Sequence, residues 1–378
     1  MPITINGRYS SAVIYTSANE ETALDGYAQV QIQNLCNNEV SMDSVIRIMP
    51  DVHPGKVCTI GLTMTIGKRI MPEVLGLDLG CGITVAKVRG VRKEWQKLDS
   101  LIQKSIPSGF NHRKENHRFT QKLELTKLNS FHHIREDSIL AALGTLGGGN
   151  HFIEVNVDSK GDTYLMVHSG SRSLGAELSA WYLNVGHREL AQKGIECPYE
   201  LTWLEGCLKE QYLEDADFAN KYASLNRLAI ISDICKGMKW KVEDTFESIH
   251  NYADISGAKP LLRKGAISAK KDERVIIPAN MKDGAILGIG LGNADWNYSA
   301  PHGSGRIYNR KEVKNHFTVS AFKKEMKGIY SSCIGKETLD EAPFAYRSLE
   351  EIKFALKPTV EVLDILKPVY NFKAGEQN

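Results

Sequence analysis

The stretch Ser299-Ala300-Pro301-His302-Gly303-Ser304-Gly305-Arg306 sets a histidine among small residues, with an arginine four positions later. A proline on one side and glycines on the other let backbone amides come close to a ligand. An imidazole in such a loop can attack phosphorus, and an arginine beside it can take up the charge that develops. A surface turn with a solvated histidine would read the same way. What His302 does is therefore decided by the rest of the chain.

Working outward, four more clusters carry chemistry. In Gly76-Leu77-Asp78-Leu79-Gly80-Cys81-Gly82 a carboxylate and a thiol stand three apart, with a glycine between them that lets both bend onto one metal ion. The competing reading is a capping aspartate beside a buried structural cysteine. In Leu146-Gly147-Gly148-Gly149-Asn150-His151-Phe152-Ile153-Glu154 three glycines lead into a strand. That is poor for stability but sensible where amides line a phosphate or a ligand needs room. In an extended run Asn150, Phe152 and Glu154 share a face, and His151 points away unless the glycines supply a turn. In Met166-Val167-His168-Ser169-Gly170-Ser171-Arg172 an apolar strand ends at His168, and a small-residue loop presents Arg172 as a ligand or phosphate clamp. The fourth cluster is Ile249-His250-Asn251-Tyr252, where His250 taken alone reads as a core histidine. Together these supply one thiolate, one carboxylate, up to three imidazoles, a spare nucleophilic histidine and two arginines. Ligand softness ranks zinc first and Mn²⁺ second.

Composition bounds the class. The 378 residues are 42% hydrophobic and 24% charged, ordinary for a soluble globular protein, and the net charge of +2 requires any polyanion to be met by a local patch. Seven scattered cysteines argue against a disulfide framework and for a reducing, cytoplasmic setting. No apolar run is long enough to span a membrane, and Met1 to Gly7 lacks the layout of a signal peptide.

Strand-like runs occur at Ser11 to Tyr15, Val45 to Met49, Thr59 to Ile66, Thr84 to Val88, His151 to Val155, Tyr164 to Val167, Arg274 to Ile277 and Ala285 to Ile289. Residues 92–142 read as helices around a basic loop, Asn111 to Arg118. Leu174 to about Ile249 reads as a helical block broken near Gly194 and Pro198. Glu350 to Lys357 and Thr359 to Leu366 are helical or extended without a clear winner, because Pro358 and Pro368 interrupt the pattern. No domain boundary stands out, so the expectation is a single α+β domain over residues 1–378, with β-rich layers carrying the site and helices outside.

The segments Met49-Pro50-Asp51-Val52-His53-Pro54-Gly55, Gly76 to Gly82, Gly144 to Glu154, His168 to Arg172 and Ser299 to Arg306, with Tyr222 to Arg227 and Arg263 to Ala266 in support, resemble in order those of the RtcB family of RNA-splicing ligases. The resemblance implies an enzyme that binds two Mn²⁺ ions and GTP. It implies Asp78, Cys81, His151, His168 and His250 as metal ligands, with Cys81 bridging, and His302 as the histidine that becomes guanylylated. It implies nucleotide contacts from Asn150, His151, Phe152, Ile153, Glu154, His250, Asn251, Pro278, Ala279, Asn280, Met281, Ala285, His302, Gly303, Ser304, Gly305 and Lys373. Arg172 and Arg306 would hold phosphates. The implied reaction joins an RNA 3′-phosphate, or a 2′,3′-cyclic phosphate opened by hydrolysis, to a 5′-hydroxyl in RNA splicing or repair. The need for an activating protein partner stays open.

Two departures bear on the nucleotide. Pro278-Ala279-Asn280-Met281 replaces a Pro-Gly-Ser-Met run, and Ala285 stands where a serine is expected, so Asn280 and Asp283 become candidates for the guanine edge. The tail Ala374 to Asn378 runs past Lys373. Two other functions compete: a metal-dependent RNA-end phosphoesterase without ligation, and a dinucleotide-binding module suggested by Gly288-Ile289-Gly290-Leu291-Gly292. For RNA, the basic loop with Arg113, Lys114 and Arg118 is one path, and Arg263, Lys264, Lys270 and Lys271 another.

Overall fold

The computed structural model describes residues 2–16, 24–257, 259–308 and 310–373. Ala374 to Asn378 lies outside the described residues. The architecture is α+β, and two sheets carry it.

The larger sheet has seven strands in the order Lys241–Ile249, Gly82–Arg89, Thr163–Ser169, Phe152–Val157, Val360–Lys373, Gly284–Gly290 and Arg274–Asn280, with every neighbouring pair antiparallel. It curls until its outer strands meet, where the Ile276 N–H donates to Ser248 Oγ at 3.0 Å. The concave side is filled by Ile83, Val85, Phe152, Met166, Ile276, Ala285 and Leu366. On the convex side Val155, Leu165 and Val167 pack against Ile230, Ile231 and Ile234 of the long helix Gly206–Met238. Sheet residues that alternate between these two apolar surfaces are buried on both faces, which is why Gly82–Arg89 reads as a nearly continuous apolar run.

The second sheet has six strands in the order Ile3–Asn6, Ser11–Ile14, Ile46–His53, Ile60–Thr65, Leu261–Lys264 and Asn251–Asp254. Its one parallel pair is Ser11–Ile14 with Ile46–His53. His250 is the single residue between Lys241–Ile249, an edge of the first sheet, and Asn251–Asp254, an edge of the second.

Several expectations are corrected. The helical block ends at Met238, and Lys241–Ile249 is a strand, not helix. Its Lys and Glu residues favour helix locally, but pairing with Gly82–Arg89 overrides that preference at a solvated edge. Upstream, Arg172–Gln192 is helix and Gly194 takes φ 71°, so the break comes where expected. Between residues 92 and 142 the helices are Trp95–Ser105 and Glu136–Ala142, with three short 3₁₀ turns between them. The ambiguous C-terminal region divides at Pro358. Leu349–Leu356 is a helix with a Ser348/Glu351 capping box, and Val360–Lys373 is a strand that passes Pro368 through a register shift.

The dinucleotide-binding alternative fails here. Gly288 and Gly290 lie within a strand, where a Cβ would meet Val360 and the Lys270 carbonyl at 2.4 and 2.3 Å. They serve close packing, and a 3₁₀ turn, Ala294–Trp296, follows rather than a phosphate-binding helix. Among the described residues, no helix is long and apolar enough to cross a membrane.

Candidate active site

Antiparallel order brings the candidate ligands to one end of the sheet. Ile249 pairs with Gly82, Gly82 with Ser169, His168 with Phe152, and Phe152 with Lys373. Alternating starts and ends of adjacent strands therefore place His250, Cys81, His168, His151 and Lys373 along a single rim.

At that rim Cys81 Sγ lies 3.4 Å from His151 Nε2 and 3.2 Å from His168 Nε2. His168 Nε2 is 3.3 Å from His250 Nε2, and His151 Nε2 is 3.0 Å from Asp78 Oδ2. The ligand atoms of Cys81, His151 and His168 all fall within 4.8 Å of one another, and all three residues are buried. Carbonyls behind the rings set their orientation. His151 Nδ1 meets the Leu146 carbonyl at 2.8 Å and His168 Nδ1 the Asn150 carbonyl at 3.2 Å, so the Nε2 lone pairs converge. Burial, and then the neighbouring rings, push His168 and His250 well below the usual histidine range. Burial and then Asp78 push the Cys81 thiol well above its ordinary value. Imidazoles crowded round a buried thiol and a carboxylate are a donor set suited to a cation.

The glycines serve close approach. Gly147 takes φ 86°, and a Cβ there would stand 2.3 Å from the Arg172 guanidinium and 2.7 Å from His151 Nδ1. This turn brings His151 round to face Asp78. A Cβ on Gly170 would lie 2.0 Å from Asp78 Oδ1.

His302 follows the short strand Ser299–Pro301, and its ring centroid is 4.9 Å from that of His250. Its Nδ1 is 2.7 Å from Asp51 Oδ2, which also accepts the backbone N–H groups of His302 and Gly303 at 3.1 and 3.2 Å. A carboxylate at Nδ1 selects the tautomer whose Nε2 carries a free lone pair. Sequence reasoning quoted Asp51 within a motif without giving it a role. The signal available was an acidic residue inside a strand of otherwise apolar character.

A cavity of about 1040 Å³ opens over His302. Asn150, Phe152, Glu154, His168 and His250 form one wall. The segments 278–281 and 302–306 form another, and Lys373 a third. Four candidate nucleotide contacts, His151, Ile153, Asn251 and Ala285, are not part of its lining, and His151 turns instead toward Cys81 and Asp78. Ile153 faces the helix-side core and Ala285 the concave core, both fully buried. Asn251 bridges the Asp78 carbonyl at 3.4 Å and the Gly265 N–H at 3.1 Å, tying the Asp78 loop to the second sheet. Asn280 and Asp283 pair with each other at 2.8 Å in a turn.

The third wall contains an ion cluster that sequence reasoning missed. Buried Glu341 pairs with Lys373, and accepts Arg310 at 2.7 Å and the Tyr346 hydroxyl at 2.6 Å. Against the opposing effect of burial, Lys373 and Arg310 hold its carboxyl down at about 2. Arg306 spends its donors on the Tyr308 and Asp340 carbonyls, Tyr346 and Glu341. Arg172 donates to Thr145 Oγ1 at 3.2 Å and the Gly109 carbonyl at 2.9 Å, and lies beside His151 rather than in the cavity. Behind the ligands, fully buried Arg227 donates to the Gly80 and Ser169 carbonyls at 2.8 Å each, fixing the residues next to Cys81 and His168.

The expected RNA-binding basic groups are partly engaged elsewhere. Arg113 pairs with Asp233 at 2.7 Å and Arg118 bonds Ser232 at 2.8 Å, while Lys114 is exposed. Arg263, on the alternative path, is fully buried against Ser299 and Tyr252, and so is not a surface contact.

The family model described as tRNA-splicing ligase RtcB matches residues 31–374. The RNA-splicing ligase RtcB of Escherichia coli K12 is 27% identical over 362 residues, covering 86% of this chain and 88% of the relative. The tRNA-splicing ligase RtcB of Aeropyrum pernix is 26% identical over 397 residues, covering 81% and 82%. A second E. coli strain supplies RNA-splicing ligase RtcB2, 25% identical over 388 residues and covering 96% of each chain. With the match running through every ligand-bearing strand of the rim, the chain belongs to the RtcB family.

Proposed function

We propose that this protein joins RNA ends carrying a 3′-phosphate to ends carrying a 5′-hydroxyl, using GTP and a guanylylated His302. The observation that carries this reading is the Asp51–His302 pair at 2.7 Å, which leaves Nε2 free beside the converging thiol and imidazoles.

His302 Nε2 attacks the α-phosphorus of GTP, so that a P–N bond forms and pyrophosphate leaves. An oxygen of the RNA 3′-phosphate then takes the GMP and breaks the P–N bond. The 5′-hydroxyl oxygen attacks the 3′-phosphorus, forming the phosphodiester and releasing GMP. The middle step is needed because a bare 3′-phosphate would have to expel oxide, whereas GMP is a good leaving group. A 2′,3′-cyclic phosphate is first opened by water. Asp78, Cys81, His151, His168 and His250 would hold two Mn²⁺ ions. When bound, the ions neutralise phosphate oxygens and make the attacking hydroxyl more acidic. Lys373 Nζ lies 5.9 Å from the Phe152 ring centroid in the cavity wall, which supports a role for it in holding guanylate. An RNA-end phosphoesterase could use the same ligands, but it has no need for an oriented histidine nucleophile.

Incubation with α-labelled GTP and Mn²⁺ tests the reading. Wild type should retain covalent GMP that is lost in acid and survives alkali, and His302→Ala should retain none. Label that persists in His302→Ala, or end hydrolysis without GMP uptake, would overturn it.

A further inference from the structure

His168, His250 and His302 face the large cavity. Asp78 does not line it, and its side chain keeps 37% exposure, next to exposed Leu77 and near the Arg172 guanidinium. Arg172 itself donates to the Gly109 carbonyl, in the turn from Ser108 to Asn111. Phe110 lies in it at 91% exposure, the highest among the large apolar side chains described.

The turn is firmly held. The Gly109 N–H donates to the Gly147 carbonyl at 3.0 Å, and Ser108 forms a parallel bridge with Gly147. The Asn111 backbone N–H and Nδ2 both donate to the Ser108 carbonyl, at 3.2 and 3.0 Å. The Gly109 carbonyl receives Arg172, which reaches from there to His151. A fixed backbone thus holds an aromatic ring in water one residue from the carbonyl that anchors Arg172, the guanidinium beside His151. The ring adds nothing to the core, and its exposed faces suit a flat apolar partner.

We propose that Phe110 is a stacking platform for a nucleobase of the RNA strand whose 5′-hydroxyl enters from the Asp78 side. This rests on the RNA-joining function proposed above. The chemistry of that strand favours stacking. A 5′-hydroxyl end lacks a terminal phosphate, so its first nucleotide offers a cation little to hold, whereas every base has a π-face. The nearby side chains suit phosphates further along: Lys114 is exposed, and His112 Nε2 lies 3.3 Å from Ser173 Oγ at the start of the helix that begins with Arg172.

The test uses the whole protein with Mn²⁺, GTP, a saturating 3′-phosphate RNA and a varied 5′-hydroxyl RNA. Phe110→Ala and Phe110→Leu should raise the KM for the 5′-hydroxyl strand roughly tenfold or more, while Phe110→Trp keeps it. A 2-aminopurine at the first nucleotide of that strand should be quenched by wild type and not by Phe110→Ala. GMP uptake on His302, which needs no RNA, serves as the folding control. If wild type joins RNA and Phe110→Ala shows the same KM and quenching, the platform is overturned. If the KM rises equally for both strands, Phe110 is a general or structural contact and the assignment to the 5′-hydroxyl strand fails. Wild type that neither takes up GMP nor joins RNA overturns the underlying function, a result distinct from either.

Discussion

Asp51 and His302 are 251 residues apart in sequence, yet one carboxylate oxygen of Asp51 receives the His302 ring and two backbone N–H groups of its loop. It therefore fixes both the tautomer and the place of the His302 ring. Asp51→Asn keeps the size but puts either an amide oxygen or an NH₂ group at that position. GMP uptake should fall by roughly 10²- to 10⁴-fold, the range seen when a base-orienting carboxylate is neutralised. Single-turnover labelling with GTP measures this, and an unchanged rate would make Asp51 a loop anchor only.

Cys81 and Cys207 make a matched comparison, because one is buried among imidazoles and the other is exposed at the start of the long helix. Cys81→Ala should weaken Mn²⁺ binding by about 100-fold or more, at least the effect of losing an outer partner of a ligand. Cys207→Ala should leave it unchanged. Titration calorimetry with Mn²⁺ alone reads the difference, and equal affinity in both variants would remove Cys81 from the ligand set.

Lys373→Ala takes one cation from buried Glu341 while leaving Arg310 and Arg306 in place. The loss should cost roughly 1–3 kcal/mol of stability, as for a weakened buried polar group. It should also block GMP uptake. Paired melting and labelling experiments check both effects. A destabilised variant that still takes up GMP would assign Lys373 to the wall and not to the nucleotide.

Burial raises the Glu154 carboxyl to about 7, although Asn156 and Asn371 donate to it and favour its charge. The native protein therefore holds a proton that the unfolded chain has released above its ordinary carboxylate range. In that window a rise in pH favours unfolding, by at most about 1.4 kcal/mol per pH unit. The penalty grows from about pH 4.5 to 7 and then levels off. Glu154→Gln should abolish this slope, so wild type and variant should diverge in denaturant titrations run from pH 5 to 8. Parallel pH profiles would show that Glu154 stays ionised.

The parts of the fold that were legible are those where local and tertiary preferences agree. Gly82–Arg89 and Thr163–Ser169 are β-branched, apolar and buried on both faces, so their sequence announces them. Lys241–Ile249 was hidden because its residues suit a solvated helix, and its strand state comes from a partner more than 150 residues away. The ligands could be proposed because thiol, carboxylate and imidazoles each sit beside glycines or at a strand end. Asp51 and Glu341 could not, since their function is a contact and a carboxylate alone does not reveal its partner. Arg113 and Arg263 misled for the converse reason. A basic residue in sequence looks free, and only the fold shows that Asp233 and Ser299 already hold them.

The strand Val360–Lys373 comes latest in sequence of the seven, yet it lies between Phe152–Val157 and Gly284–Gly290 in the middle of the sheet. During synthesis, Phe152–Val157 and Gly284–Gly290 must each keep one edge unpaired until this strand arrives. A nascent chain halted before Val360 would carry two sheet fragments with open hydrogen-bonding rows, the usual template for edge-to-edge association. The residue that completes the cavity, Lys373, is also the last described residue of that strand. Closure of the sheet and completion of the cavity wall thus become one event.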